Sequence, residues 1–102
     1  MKEKITVIVK NPGEPAEERE IPNTLEALQG IVGGYIETVR FASDCTIVCN
    51  EEGKLREMEP NIFLMGEMFV GPVILVGTRQ DEFDDVPMPL ELFLELIPAL
   101  GR

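Results

Sequence analysis

A short helix signature closed by paired glycines, Asn23 to Gly34, is the feature that most limits what this chain can build. Asn23 is placed to cap the helix, because its side-chain oxygen can accept an otherwise orphaned amide and Glu26, three residues on, can reach back. Leu25, Leu28, Ile31 and Val32 form one apolar stripe over Thr24 to Val32. Gly33 and Gly34 then end the helix, since glycine enters the left-handed C-terminal conformation without strain.

The segments around this helix read as strands. Ile5, Val7 and Val9 alternate with Thr6, Ile8 and Lys10, and the turn residues Asn11 to Pro15 lead into Glu17 to Ile21, a polar return strand, so a hairpin opens the chain. Tyr35 to Phe41 and Cys45 to Asn50 flank the turn residues Ser43 and Asp44 and are expected as an antiparallel hairpin in the centre of the sheet. Glu51 to Gly53 is a further turn. Lys54 to Met68 is irregular and is expected as a turn or a single helical turn through Phe63 and Met65. Phe69 to Thr78 is a strongly apolar strand in which Pro72 marks a bulge or an edge, because proline cannot donate to a ladder.

Pro89 to Leu100 has only Glu91 and Glu95 as polar side chains, so as a helix it is apolar around most of its circumference. It plugs the core or joins copies of the chain; in the second case Leu90, Phe93, Leu94 and Ile97 form the interface of a homodimer or higher oligomer. The expected fold is α+β: a small, mostly antiparallel sheet of four to five strands, one helix after the first hairpin, and a C-terminal apolar helix. With 102 residues and no break in composition, residues 1–102 form a single domain.

Charge narrows the partners. Nineteen Asp and Glu against nine Lys and Arg leave a net charge of −10, which repels phosphate backbones, so direct nucleic-acid binding is not expected. The acids gather in Glu14 to Glu20, Glu51 to Glu59 and Asp81 to Asp85, all turns or edges on this reading. Cys45 and Cys49 would stand about 13 Å apart along one strand at ~3.3 Å per residue. That exceeds the roughly 7 Å a disulfide spans, so they read as reduced thiols of a cytoplasmic protein. No apolar run approaches the ~18 residues that would span a bilayer, and no membrane association is expected.

The usual parts of catalysis are missing. Without histidine, Ser-His-Asp and Cys-His chemistry cannot occur within one chain, and two cysteines with no further soft ligand do not make a zinc site. Gly30, Gly33 and Gly34 follow a helix instead of opening one, so no phosphate cradle forms there. The acidic clusters lack the spaced ligands of a calcium loop. A non-enzyme with no metal and no cofactor is expected, with Glu51, Glu52 and Cys49 the only groups to which weak catalysis could be traced.

The run Asn23 to Glu37, with Cys49-Asn50-Glu51-Glu52-Gly53-Lys54-Leu55 and Pro60-Asn61, resembles the domain-of-unknown-function family number 3846. The resemblance covers about Ile5 to Thr78 and lapses afterwards, where members end in a more polar helix. It implies this fold and an origin in phages and other mobile elements, and it imports no activity. Part of the motif is explained by capping, by helix termination and by burial of the Tyr35 ring.

Two binding roles follow. In the first, a phage or mobile-element accessory protein engages and inhibits a basic host protein, of defence or nucleic-acid-binding type, through Glu51, Glu52, Asp81, Glu82, Asp84 and Asp85. It would then act in the host cytoplasm. In the second, an oligomer sequesters a small molecule such as a signalling nucleotide, with Tyr35, Arg40, Asn50, Pro60, Asn61 and Arg79 lining the site and Lys54 and Arg56 as further cations.

Overall fold

The computed structural model describes residues 2–97. Its elements are β1 (Lys4–Lys10), β2 (Glu17–Pro22), α1 (Leu25–Val32), β3 (Ile36–Ala42), β4 (Cys45–Asn50), β5 (Pro60–Leu64), β6 (Glu67–Val70), β7 (Val73–Arg79), β8 (Glu82–Asp84) and α2 (Leu90–Leu96). The fold is α+β, as expected, and the principal sheet is larger than expected. It has six antiparallel strands in the order β2-β1-β7-β4-β3, with β8 also paired to β7, and β5 and β6 make a separate two-stranded sheet.

Strand parity sorts the core into two layers. On one face Val7, Val9, Val48, Ile74 and Val76 pack under Leu28 and Val32 of α1. On the other, Ile8, Cys45, Ile47, Cys49, Val73 and Leu75 pack against Ile62, Leu64 and Phe69 of the small sheet and against Phe93 and Ile97. A sheet covered on both faces has no polar side for its central strands to show. All six residues of β4 are accordingly buried, as are Val73 to Gly77 of β7.

Several expectations need correction. The β3–β4 hairpin lies at the side of the sheet with β3 on its rim, and the centre belongs to β7, which is paired by β1 and β4. No helical turn runs through Phe63 and Met65; a turn of helical type lies earlier, where the Arg56 amide donates to the Glu52 carbonyl and the Glu57 amide to the Lys54 carbonyl. Lys54 to Met68 supplies a loop and then the β5–β6 hairpin, closed at Met65-Gly66 with both residues at positive φ. Pro72 is neither bulge nor edge within a strand; with Gly71 it is the corner where the chain leaves β6 and enters β7.

The cap of α1 is Thr24, whose Oγ1 accepts from the Ala27 amide at 3.1 Å. Asn23, one residue earlier, donates instead to the carbonyls of Lys2 and Phe83, pinning the helix entrance to β8, and no reciprocal Glu26 box forms. Of the predicted stripe, Leu28 and Val32 are buried while Leu25 is exposed. Gly33 ends the helix at φ 83°, and its amide donates to the Gln29 carbonyl.

β8 and the chain after it wedge between the diverging halves of β1 and β7. Gly77 opposes Asp84, the Thr6 amide donates to Asp85 Oδ1 at 2.8 Å, and the Val86 amide donates to the Thr6 carbonyl at 2.8 Å. A Cβ on Gly77 would collide with the Asp85 carbonyl oxygen, so only glycine admits this crossing. The crossing delivers α2 to the face opposite α1. There Phe93 and Ile97 are each 2% exposed within the chain's own core, so the proposed Leu90, Phe93, Leu94 and Ile97 interface is corrected: Phe93 and Ile97 are spent inside, and Leu90 and Leu94 pack beside them. The expected helix beyond Ile97, including Leu100, lies outside the described residues.

Candidate functional site

The pairings define two ends of the principal sheet. Lys10 opposes Val73 and Val48 opposes Ile74, so Lys10, Val73 and Asn50 share one end; Cys45 opposes Gly77 at the other. Six residues of β4 at ~3.3 Å each separate these ends by nearly 20 Å. Glu51 and Glu52 follow β4 at the Lys10 end, whereas Asp81 to Asp85 lie at the Cys45 end. The two acidic clusters therefore do not form one face.

Asp84 and Asp85 have a structural duty as well. Lys2 pairs with both, and the Thr6 amide also reaches Asp85. The Asp85 carboxyl is held below its usual range first by the Lys2 hydrogen bond and then by the Thr6 amide, and that of Asp84 first by the Asp85 amide. Lys2 is raised in turn by the same partners. Glu51, Glu52, Asp81 and Glu82 are exposed and form no ion pair among the described residues.

The predicted ligand-lining residues also divide. Tyr35, Asn50, Pro60 and Asn61 stand at the Lys10 end, Arg40 and Arg79 at the Cys45 end. Asn50 is buried and occupied at both ends of its amide: Nδ2 donates to the Val32 carbonyl at 3.1 Å and Oδ1 accepts from the Glu52 amide at 2.8 Å. It fastens the C-terminus of α1 to the β4 turn. Asn61 donates to the carbonyls of Lys10 and Gly71 at 2.7 and 2.8 Å, joining the small sheet to the large one. Tyr35 does not bury its ring; the residue is 68% exposed.

Lys10 is a residue that sequence reasoning missed. It is 2% exposed, and its Nζ donates to the Asn11 carbonyl and to Asn61 Oδ1 at 2.9 and 3.1 Å. Burial lowers its pKa, opposed by the nearby Glu14 carboxylate. Strand parity carried the signal: Lys10 shares a face with Ile8, which is inward.

Two concavities have the chemistry of a site. The first, about 230 Å³, lies where the loop after β4 meets the β5–β6 hairpin. Glu37, Glu51 and Glu67 stand around it with Lys54, which pairs with Glu67 at 3.5 Å, and Leu55 and Met68 supply apolar wall. Apolar exposure continues along the outer hairpin face, where Phe63 opposes Met68 and Met65 sits at the turn. Cys49 also lines this depression, but burial first, then Glu37 and Glu67, push its thiol up to about 11, so it is protonated at neutral pH and a poor nucleophile. Cys45 is likewise raised to about 11, first by burial, and both cysteines are free thiols.

The second is a groove of about 310 Å³ at the Cys45 end, to which Arg40, Thr46, Thr78, Arg79 and Phe83 contribute. Among the described residues no group of three or more Cys, Asp, Glu or His side chains converges to hold a metal ion. No helix among them is long and apolar enough to cross a membrane.

No match was found among curated proteins or among solved structures. The family model for "Domain of unknown function (DUF3846)" matches residues 5–97. The likeness thus runs on past Thr78, where it was expected to lapse, and takes in β8, the crossing over Gly77 and α2. A match over nearly the whole described chain shows that the protein belongs to the DUF3846 family.

Proposed function

We propose that the protein is a non-enzymatic binding module whose β5–β6 hairpin and neighbouring acidic loop take a basic, partly apolar segment of another protein. The observation that carries this reading is the juxtaposition at the first depression. Leu55, Phe63, Met65 and Met68 are each at least 40% exposed, and Glu37, Glu51 and Glu67 with a single lysine stand around the depression that Leu55 and Met68 line. Apolar side chains left in water favour a partner that covers them. The surrounding carboxylates select a partner carrying Lys or Arg and speed its approach.

The partner we propose is a basic host protein of defence or nucleic-acid-binding type, inhibited by a phage or mobile-element accessory protein in the host cytoplasm. Of the acids Glu51, Glu52, Asp81, Glu82, Asp84 and Asp85, this surface takes Glu51, with Glu52 beside it in the same loop, and leaves out the second cluster at the far end of the sheet. Binding should weaken as salt rises, because exposed charges are screened over about 10 Å at 0.1 M.

The test compares host proteins retained by the wild-type chain, by a Leu55→Ser/Met68→Ser variant and by a Glu51→Gln/Glu67→Gln variant. A basic protein held by the wild type, lost from both variants and released by moderate salt is the expected result. Retention of the same proteins by all three chains would refute the reading.

A further inference from the structure

We propose that the groove at the Cys45 end of the sheet is a second, separate site that binds a phosphorylated small molecule of nucleoside-monophosphate size. The helix α1, which covers one face of the sheet, is only eight residues long. Its entrance lies beside Phe83, where Asn23 is bonded, and its exit is tied to Asn50. The corner of the sheet over Arg40 and Thr46, which oppose each other in the β3–β4 ladder, is left open.

Into this corner come two of the five arginines of a chain with net charge −10. They are 39 positions apart, and only the pairing of β4 with both β3 and β7 brings them together. Both are exposed, and neither forms an ion pair among the described residues; Arg79 opposes Glu82 in the hairpin without bridging to it. In so acidic a protein a free guanidinium has many carboxylates available. Two left free on one concavity are available to a ligand instead, and a guanidinium matches phosphate by paired N–H donors.

The other lining groups fit the rest of such a molecule. Ser43, Thr46 and Thr78 add hydroxyl donors beside the arginines. Phe83, half-buried, offers a ring on which a base can stack. Asp81 and Glu82 would repel a bare anion, yet their carboxylates can accept from ribose hydroxyls or a base amino group, so the groove favours an anion that carries donors over phosphate alone. A volume of about 310 Å³ lies at the small end of ligand pockets and suits one nucleotide.

The turn between β7 and β8 points the same way. Gln80 and Asp81 form a two-residue hairpin turn with φ of 53° and 66°, a place where glycine or asparagine would be less strained. Both positions carry polar side chains, and both line the groove.

The experiment titrates adenosine, guanosine and uridine 5′-monophosphates, the matching nucleosides and inorganic phosphate into labelled protein, following amide shifts by NMR. The proposal expects saturable shifts at Thr46, Thr78 and Phe83 with at least one monophosphate, and affinity at least tenfold weaker for its nucleoside and for inorganic phosphate. Arg40→Gln, an exposed change on a rim strand, should weaken binding severalfold with an unchanged far-UV spectrum, and Arg40→Gln/Arg79→Gln should abolish it. No saturable shift by about 10 mM, equal binding of phosphate or nucleoside, or unaltered affinity in Arg40→Gln would each overturn it. Leu55→Ser/Met68→Ser, at the other end of the sheet, should leave nucleotide affinity unchanged, which separates this site from the protein-binding surface.

Discussion

Replacing Asn50 with alanine removes two hydrogen bonds at once, one to the Val32 carbonyl and one from the Glu52 amide. Val32 is fully buried, so its carbonyl loses a partner where water does not readily reach, at a cost of about 1–3 kcal/mol. Glu52 is exposed and its amide can turn to water, adding roughly 0.5 kcal/mol. A total near 2 kcal/mol lowers the melting temperature by about 10 °C in a domain of this size. Asn50→Asp separates the two bonds: it keeps the acceptor for Glu52 but turns a carboxylate toward the Val32 carbonyl. That carboxylate has no proton to offer the Val32 carbonyl, and only the protonated acid can donate to it again, so the deficit should shrink as pH falls into the ordinary carboxylate range, about 4. Thermal unfolding followed by circular dichroism at neutral and acidic pH reads both effects. An Asn50→Ala melting temperature within about 2 °C of wild type, or an Asn50→Asp chain whose deficit does not change with pH relative to Asn50→Ala, would refute the assignment of Asn50 as the fastener of α1.

Gly77→Ala should destabilise the fold by more than the 1–3 kcal/mol typical of overpacking, since the new Cβ would meet a backbone oxygen instead of a flexible side chain; urea unfolding measures it, and a wild-type midpoint would disprove the crossing. Lys10, whose pKa burial lowers, costs stability while charged, so the folded state should gain on the unfolded as pH rises between its lowered pKa and 10.5. Lys10→Met, lacking that titration, should show a smaller gain in urea midpoint between about pH 7 and about pH 10, and parallel profiles would count against a buried ammonium. Thr24→Ala should cost about 1 kcal/mol as the lost cap of α1, whereas Asn23→Ala should loosen the contact with β8 and leave helix content unchanged, as read by amide exchange at Phe83 and Ala27.

What the sequence made legible was local. α1 with its terminal Gly33, the β1–β2 hairpin and the β3–β4 hairpin each depend on residues within about twenty positions of one another, where periodicity and turn chemistry act. The β5–β6 hairpin escaped because Phe63, Met65 and Met68 make its outer face as apolar as the inner face of Ile62, Leu64 and Phe69, which erases the alternation of period two. That same violation is what marks its outer face as a surface. Asn23 and Thr24 were interchanged because both cap well, and only the tertiary demand of the Phe83 carbonyl decides between them. The acidic clusters looked like one surface along the chain, but antiparallel pairing sends them to opposite ends. The meeting of Arg40 with Arg79 leaves no local trace, being made by register between strands far apart in sequence.

The central position of β7 sets the order in which the chain can become a protein during synthesis. Both early hairpins, β1–β2 and β3–β4, emerge from the ribosome before the strand that joins them, and Ile8, Ile47, Val48 and Val7 stay uncovered until residues 73–79 arrive. Translation proceeds at about 5–20 residues per second, so the nascent chain carries two open apolar edges for a few seconds. Pairing β1 with β7 must then close a loop of more than sixty residues, a step that topology makes slow. A ribosome stalled before Val73 would hold a chain that cannot complete its sheet, and for that interval its solubility depends on chaperones and on its own negative charge.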